Sequence, residues 1–327
     1  MPLWHKQFYK AMSKKILAND GIDAKGKELL EKAGYTVVTD KVAQDKLAAE
    51  INTHQYVALT VRSATKVRKE LIDACPDLKV IGRGGVGMDN IDVEYARGKG
   101  IEVINTPAAS SHSVAELIFA HFFGMVRFLD DSNRQMPVKG GTEFEALKKK
   151  YSKGIELKGK TLGIIGFGRI GQEVAKIGLG IGMKVMAHDP FLTEALVEID
   201  IHGVSPVRVK IETLAMDKVL EQSDFITLHV PGGKVIGADQ FAIMKNGVCI
   251  ANASRGGVID ENDLIEALNS GKVAHAALDV FVNEPNPMAA ILTHEKMSLT
   301  PHIGAATEEA QERIGIELAE KIIVALS

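Results

Sequence analysis

The chain has 327 residues, 46% of them hydrophobic and 25% charged, with 39 basic and 42 acidic side chains. Composition of this kind excludes a disordered or fibrous chain, and the length suggests about two domains. A net charge of -3 gives no basic face for a phosphate backbone, so no nucleic-acid partner is expected. Residues 1–11 carry no usable pattern, and a natural start is expected at Met12. From Lys15 the pattern alternates between short apolar strands and amphipathic helices. Strands are expected at 16–18, 35–38, 56–61, 78–81 and 102–104, with helices at 24–33 and 43–51 between the first of them. A long helix is expected over 111–135, followed by a basic loop over 136–160. A second series then supplies strands at 161–165, 184–187, 225–229, 248–252, 274–280 and 298–299. Its helices are expected at 170–179, 213–222, 238–244 and 261–268, and a terminal helix at 308–326. Strands separated by helices imply parallel sheets with right-handed crossovers.

No run of about 18 apolar residues occurs, so no membrane-spanning helix is expected. Cys75 and Cys249 are far apart and lack the close partners of a metal site. They read as buried thiols in a reducing cytoplasm, and no metal is expected.

Gly166-Phe167-Gly168-Arg169-Ile170-Gly171 is a GxGxxG placed between an apolar strand and a helix. The returning strand ends in Asp189, eighteen residues after Gly171. In such a motif the first glycine permits a tight turn, the second lets a pyrophosphate approach the backbone, and the third allows close packing of helix on sheet. The helix N-terminus offers unpaired N–H groups to the anion. Asp189 would accept from the ribose hydroxyls and repel a 2′-phosphate, which points to NAD rather than NADP.

Three further strands end in charged groups: Arg255 after the strand at 248–252, Glu284 after 274–280, and His302 after 298–299. Ligands of open parallel sheets gather at the carboxyl ends of strands, so these three groups are candidates for one crevice. An imidazolium suits protonation of a 2-oxo acid as a hydride arrives. A carboxylate on the other ring nitrogen orients that imidazole, and a guanidinium binds the substrate carboxylate and polarises the carbonyl.

The segments Gly166–Gly171, Asn252–Glu261, Ala277–Pro285 and Thr300–Ala305 together resemble the D-isomer-specific 2-hydroxyacid dehydrogenase family, with the likeness running from Lys15 to the C-terminus. The resemblance implies two Rossmann-like or flavodoxin-like parallel-sheet domains, with the dinucleotide-binding domain (108–301) inserted into a substrate domain (1–107 and 302–327) and hinges near Pro107 and Pro301. It implies Arg255 as substrate ligand, His302 as acid/base and Glu284 as its partner. The implied cofactor set is Val86, Gly166, Gly168, Arg169, Ile170, Gly171, Asp189, Pro190, His229, Val230, Pro231, Ala253, Ser254, Arg255, Asp279, His302, Gly304 and Ala305. Val61-Arg62-Ser63-Ala64-Thr65, the run Ile81–Asp92 and the run Asn105–Glu116 resemble the phosphoglycerate dehydrogenase branch. That branch implies substrate contacts from Arg62, Ser63, Arg83, Val86 and Gly87, besides Arg255 and His302, and a place in serine biosynthesis.

Arg62 and Arg83 each follow a strand, where a guanidinium fork suits a phosphate. Gly84 stands where the family often has alanine, which should loosen its loop. The chain ends at the terminal helix, so no C-terminal regulatory domain is expected. The family also implies a homo-oligomer, formed through the helix at 111–135. Alternatives are a reductase for an unphosphorylated acid such as hydroxypyruvate, glyoxylate or D-lactate, and a non-enzymatic NAD-sensing protein of corepressor type.

Overall fold

A computed structural model describes residues 14–327; the suggested start at Met12 and the eleven residues before it lie outside the described residues. The chain divides into two compact units. One runs to Ser110 and resumes over Thr307–Ser327, and the other, Ser111–Ala306, is inserted between those segments.

The first unit holds five parallel strands: β1 (Lys15–Ala18), β2 (Thr36–Val38), β3 (Tyr56–Val61), β4 (Val80–Arg83) and β5 (Glu102–Asn105). Their order is β2-β1-β3-β4-β5, the flavodoxin-like arrangement, whose strand order reverses between β1 and β3. Both faces are covered, as a parallel sheet requires. Leu17, Leu59, Ile81 and Val103 pack on one side. Ile16, Ala58 and Val80 pack on the other, against Leu318 and Ile322 of the terminal helix Glu308–Leu326. That helix repeats buried Ala310, Ile314, Leu318, Ile322 and Leu326 at four-residue spacing, and Thr307 caps it by accepting from Ala310 N. It is sequence-distant from the strands it covers, which is why one unit needs both ends of the described chain.

The second unit holds β6 (Thr161–Ile165), β7 (Lys184–His188), an antiparallel hairpin of β8 (Glu194–Ile199) and β9 (Val207–Glu212), then β10 (Phe225–Leu228), β11 (Val248–Asn252), β12 (Val273–Leu278) and β13 (Met297–Leu299). The main sheet is ordered β13-β12-β11-β10-β6-β7, so its order reverses between β6 and β10. Phe119 and Phe122 of the helix Ser111–Val126 pack with Leu162 and Ile164 on one face, while Ile226, Ile250 and Leu264 form the other core.

Several expectations need correction. The helix expected at 111–135 is two helices, Ser111–Val126 and Leu129–Lys139, broken where Phe128 adopts φ 54°. Phe128 sits there because its ring meets Tyr151 and His275, a tertiary contact that no helical periodicity reports. The basic segment is not a plain loop. Lys148, Lys149 and Lys150 form the last turn of the helix Phe144–Lys150, where cations suit the dipole, and Lys150 pairs with Asp131 at 2.6 Å. The β8–β9 hairpin was not expected, although Val207, Val209 and Ile211 alternate with Arg208, Lys210 and Glu212. Its partner strand lacks so clean a pattern, and Val197 and Ile211 bury against the helix Arg169–Gly180 side of the core. Finally, residues 108–110 belong to the first unit and residues 302–306 to the second, the reverse of the expected boundaries. Hydrogen bonds from Ile303 N and Gly304 N to Asp279, and from Ser113 Oγ to Gly304 O, tie that segment to its own sheet.

Candidate active site

In the second unit the glycine loop leaves β6 directly. Gly166 has φ 92°, and a Cβ there would overlap the carbonyl of His229 beyond β10. A Cβ on Gly171 would overlap the Gly166 carbonyl, so these two glycines are required by backbone packing. Gly168 differs. It is exposed, with nothing within 4 Å of a Cβ position, and it caps the helix Arg169–Gly180. This leaves open backbone at a helix N-terminus, which is the cradle a pyrophosphate needs. His229 Nδ1 adds a buried polar atom with no partner among the described residues, while Nε2 lies 3.0 Å from Thr227 Oγ1. Burial pushes its pKa down to about 3, so the ring is neutral. These features fit a bound dinucleotide.

Asp189 follows β7 and is already engaged. Its Oδ2 accepts from Phe167 N at 2.8 Å, and Oδ1 accepts from Phe191 N and Leu192 N at 2.9 and 3.2 Å. With about four lone-pair sites on a carboxylate, roughly one acceptor position remains for a ribose hydroxyl. The carboxylate therefore also fastens the glycine loop to the end of β7. Pro190 beside it is exposed.

Arg255, Glu284 and His302 all lie in this unit, on loops after β11, β12 and β13. His302 Nδ1 lies 2.8 Å from Glu284 Oε2. An ionised carboxylate only accepts, so Nδ1 carries the hydrogen and Nε2 is left as the exchangeable nitrogen. Glu284 Oε1 accepts from Phe281 N at 2.9 Å, which fixes the carboxylate in turn. His302 has φ 57°, an uncommon conformation for a residue with a Cβ, and is held there from both sides of the loop. Asp279, 1% exposed, accepts from Thr300 Oγ1, Ile303 N and Gly304 N at 2.6 to 2.8 Å. Beneath it His121 Nε2 lies 3.1 Å from Thr300 Oγ1, and its Nδ1 lies 2.8 Å from Ser298 Oγ. Burial lowers the His121 pKa, so a neutral ring donates to Thr300 and accepts from Ser298. The expectation that Asp279 serves the cofactor thus meets a carboxylate occupied in holding the His302 loop.

Arg255 is half-buried, and its Nη1 donates to Ser254 O at 2.6 Å. Its loop is shaped by Asn252, whose amide donates to Arg255 O and whose oxygen accepts from Ser254 N and Oγ. The next residue, Gly256, approaches the Phe281 carbonyl so closely that a Cβ would overlap it. This contact brings the Arg255 loop against the loop that carries Glu284. Buried Glu261 adds a bond from Val282 N at 2.9 Å. Asn252, Glu261, Thr300 and Ser113 stand in segments that carry the family resemblance, but their part in holding these loops, like that of His121, was not read from sequence.

In the first unit Arg62 and Arg83 end or follow adjacent strands, with Val61 in register with Arg83. A cavity of about 280 Å³ opens there, lined by Asp20, Val61, Arg62, Gly84, Gln311 and Ile314. It lies where the strand order reverses, the usual ligand position for such a sheet. The Arg83 guanidinium lies over Gly85, and its Nη1 is 3.3 Å from Gly84 O. Gly84 is filled from across the cavity, since a Cβ would come 3.2 Å from Ile314 Cγ2. Ser63 is exposed, and Val86 and Gly87 are half-buried, with the Val86 carbonyl accepting from Asn105 at 2.6 Å. Among the described residues no cluster of His, Cys, Asp or Glu has metal-binding geometry, and no single helix is long and apolar enough to cross a membrane. Burial pushes the Cys249 thiol up to about 12, leaving it protonated.

Residues 119–304 match the NAD-binding domain of the D-isomer specific 2-hydroxyacid dehydrogenases. The chain is 43% identical over 316 residues to a hydroxypyruvate reductase of Thermotoga maritima, covering 94% of this chain and 97% of that protein. It is 42% identical over 312 residues to a D-3-phosphoglycerate dehydrogenase of Methanocaldococcus jannaschii, covering 94% of this chain but only 56% of that longer protein. The crystal structure of a glyoxylate reductase from Paecilomyes thermophila superposes with a TM-score of 0.78 at 30% identity, covering 97% of this chain and 96% of that one. The fold, the glycine cradle and these likenesses agree: the chain belongs to the D-isomer specific 2-hydroxyacid dehydrogenase family and is an NAD-dependent oxidoreductase of 2-hydroxy acids.

Proposed function

We propose that this enzyme oxidises D-3-phosphoglycerate to 3-phosphohydroxypyruvate, the step that opens serine biosynthesis. The observation that carries the reading is Arg62, which lines a cavity at the switch point of the first sheet, with Arg83 at the end of the adjacent strand. A guanidinium in that lining suits a phosphate dianion better than an uncharged hydroxymethyl group. Arg255 binds the substrate carboxylate and polarises the oxygen on C2. His302 Nε2 takes the C2 hydroxyl proton during oxidation and returns it during reduction. Glu284 keeps the imidazole in the tautomer that leaves Nε2 available. NAD, held by the glycine loop of residues 166–171, would supply the hydride acceptor for C2. The Asp189 carboxylate disfavours the 2′-phosphate of NADP by like-charge repulsion.

The relative at 43% identity over nearly its whole length favours a second reading, reduction of unphosphorylated hydroxypyruvate. The deciding experiment follows absorbance at the nicotinamide band with matched acids that carry or lack the phosphate. Higher kcat/KM for the phosphorylated acids supports the first reading; equal or inverted values overturn it in favour of the second. Comparable kcat/KM with NADP and NAD would remove the role given to Asp189. The same reading has the enzyme working in the cytoplasm as a homo-oligomer. Support for assembly comes from the helix Leu129–Lys139, which buries none of its residues and exposes Leu129, Met136 and Val138. Light scattering of the purified chain tests it, and a monomeric mass would refute it.

A further inference from the structure

Beyond β3 the backbone of residues 62–65 leaves the sheet, and its polar groups find side chains rather than strands as partners. Arg62 N and Thr65 N both donate to Asp20 Oδ2, at 2.7 and 3.0 Å. Arg62 O and Thr65 O both accept from Asn90 Nδ2, at 2.7 and 2.6 Å. Thr65 Oγ1 donates to Asp20 Oδ1 at 2.7 Å and accepts from Asn19 Nδ2 at 2.9 Å. Lys41 pairs with Asp20 from the exposed side, and the Asp20 side chain is itself only 4% exposed. Both polar groups of Arg62 are thus held by side chains from different loops. The peptide planes on either side of its Cα are fixed, and with them the direction of its Cα–Cβ bond.

Asn90 suits this position for a chemical reason. Its amide carries two hydrogens and no charge, one for each carbonyl, whereas an aspartate would set a carboxylate against two carbonyl oxygens. Its place in the chain adds a second consequence. Asn90 lies in the loop that follows Arg83, so its bonds to residues 62 and 65 couple the two arginine-bearing loops. Val67 N closes the same junction by donating to Asn90 O at 2.8 Å.

We propose that Asn90 is a positioning residue for the substrate phosphate, acting through Arg62 and without touching the substrate, with Asp20 as its counterpart on the N–H side of the loop. The proposal rests on the assignment of Arg62 to the phosphate. A loop already ordered around Arg62 spares the ordering cost when the anion binds.

The test is a double-mutant cycle in the full chain, with Asn90→Ala, Arg62→Ala and the double variant. KM is measured for D-3-phosphoglycerate, for D-glycerate and for NAD, alongside kcat and Tm. Asn90→Ala should raise KM for the phosphorylated acid roughly 3- to 10-fold, the worth of about one net hydrogen bond. It should leave kcat and the KM for NAD within about twofold, and in the Arg62→Ala background it should add less than about twofold, because coupled residues are not additive. Effects that multiply in the double variant would overturn the proposal, as would equal KM increases for both acids. Should Arg62→Ala fail to distinguish the two acids, the phosphate assignment itself falls and takes this proposal with it. Asp20→Asn supplies the second route if Asn90→Ala does not fold. It must give the same phosphate-selective rise in KM, again absorbed by Arg62→Ala; a rise that persists without Arg62 would count against the proposal.

Discussion

Each unit ends its parallel strands in polar loops, but the two hold their charged side chains differently. In the second unit the ring proposed to carry the proton is itself grasped: His302 Nδ1 meets Glu284, Glu284 is held by Phe281 N, and Asp279 secures the two N–H groups that follow His302. In the first unit the grasp is on the main chain. Asp20 and Asn90 fix both sides of Arg62. A group that must pass a proton needs its tautomer and ring plane set, which takes a bond to the ring. A guanidinium that meets an anion needs only the base of its side chain anchored, because the fork is planar and always charged.

The largest effect should come from breaking the grasped ring. His302→Ala should lower kcat by about 10²- to 10⁴-fold in both directions, the range for a general acid/base, while calorimetry shows NAD binding intact. Retained turnover would move the proton-transfer role to another group. Next, Arg62→Ala and Arg83→Ala should each raise KM for the phosphorylated acid by about 10- to 100-fold, as loss of a charge-assisted contact does, and change the unphosphorylated acid much less. Equal losses on both acids would make the arginines structural.

Two glycines sharpen the contrast between packing and binding. Gly168→Ala should weaken NAD roughly tenfold with Tm unchanged, because the position is open and faces the cradle. Gly166→Ala should instead lower Tm, since its φ is positive and its Cβ would strike the His229 carbonyl. Unaltered NAD affinity in Gly168→Ala would reduce the loop to a turn.

The smallest effect is a pH dependence of stability. Burial opposes ionisation of Asp20, but hydrogen bonds from Lys41, Thr65 and the Arg62 main chain outweigh it and hold the carboxyl below its ordinary range. A lowered folded-state value stabilises the protein above the unfolded value, near pH 4, and the benefit is lost as pH falls further. Asp20→Asn should therefore cost about 1–3 kcal/mol at neutral pH. In urea titrations that gap should narrow below about pH 4. A gap that stays constant with pH would show that the charge of Asp20 does not support the loop.

Much of this protein was legible without coordinates. Short apolar runs bounded by glycine, proline or asparagine marked most strands, and their alternation with helices implied two parallel sheets. The strand–GxGxxG–helix–Asp189 run marked the proposed cofactor cradle, and the strand-end positions of Arg255, Glu284 and His302 marked the groups proposed to react. These signals are local, set by periodicity, turn chemistry and spacing along the chain. Tertiary structure decided the rest, because those features depend on residues distant in sequence. Phe128 breaks a helix to meet Tyr151 and His275, and Gly304 joins the second unit through Ser113 and Asp279. Asn90 acquires its place only when the loops after β3 and β4 stand side by side, where two carbonyls with no strand partner need one uncharged donor of two hydrogens.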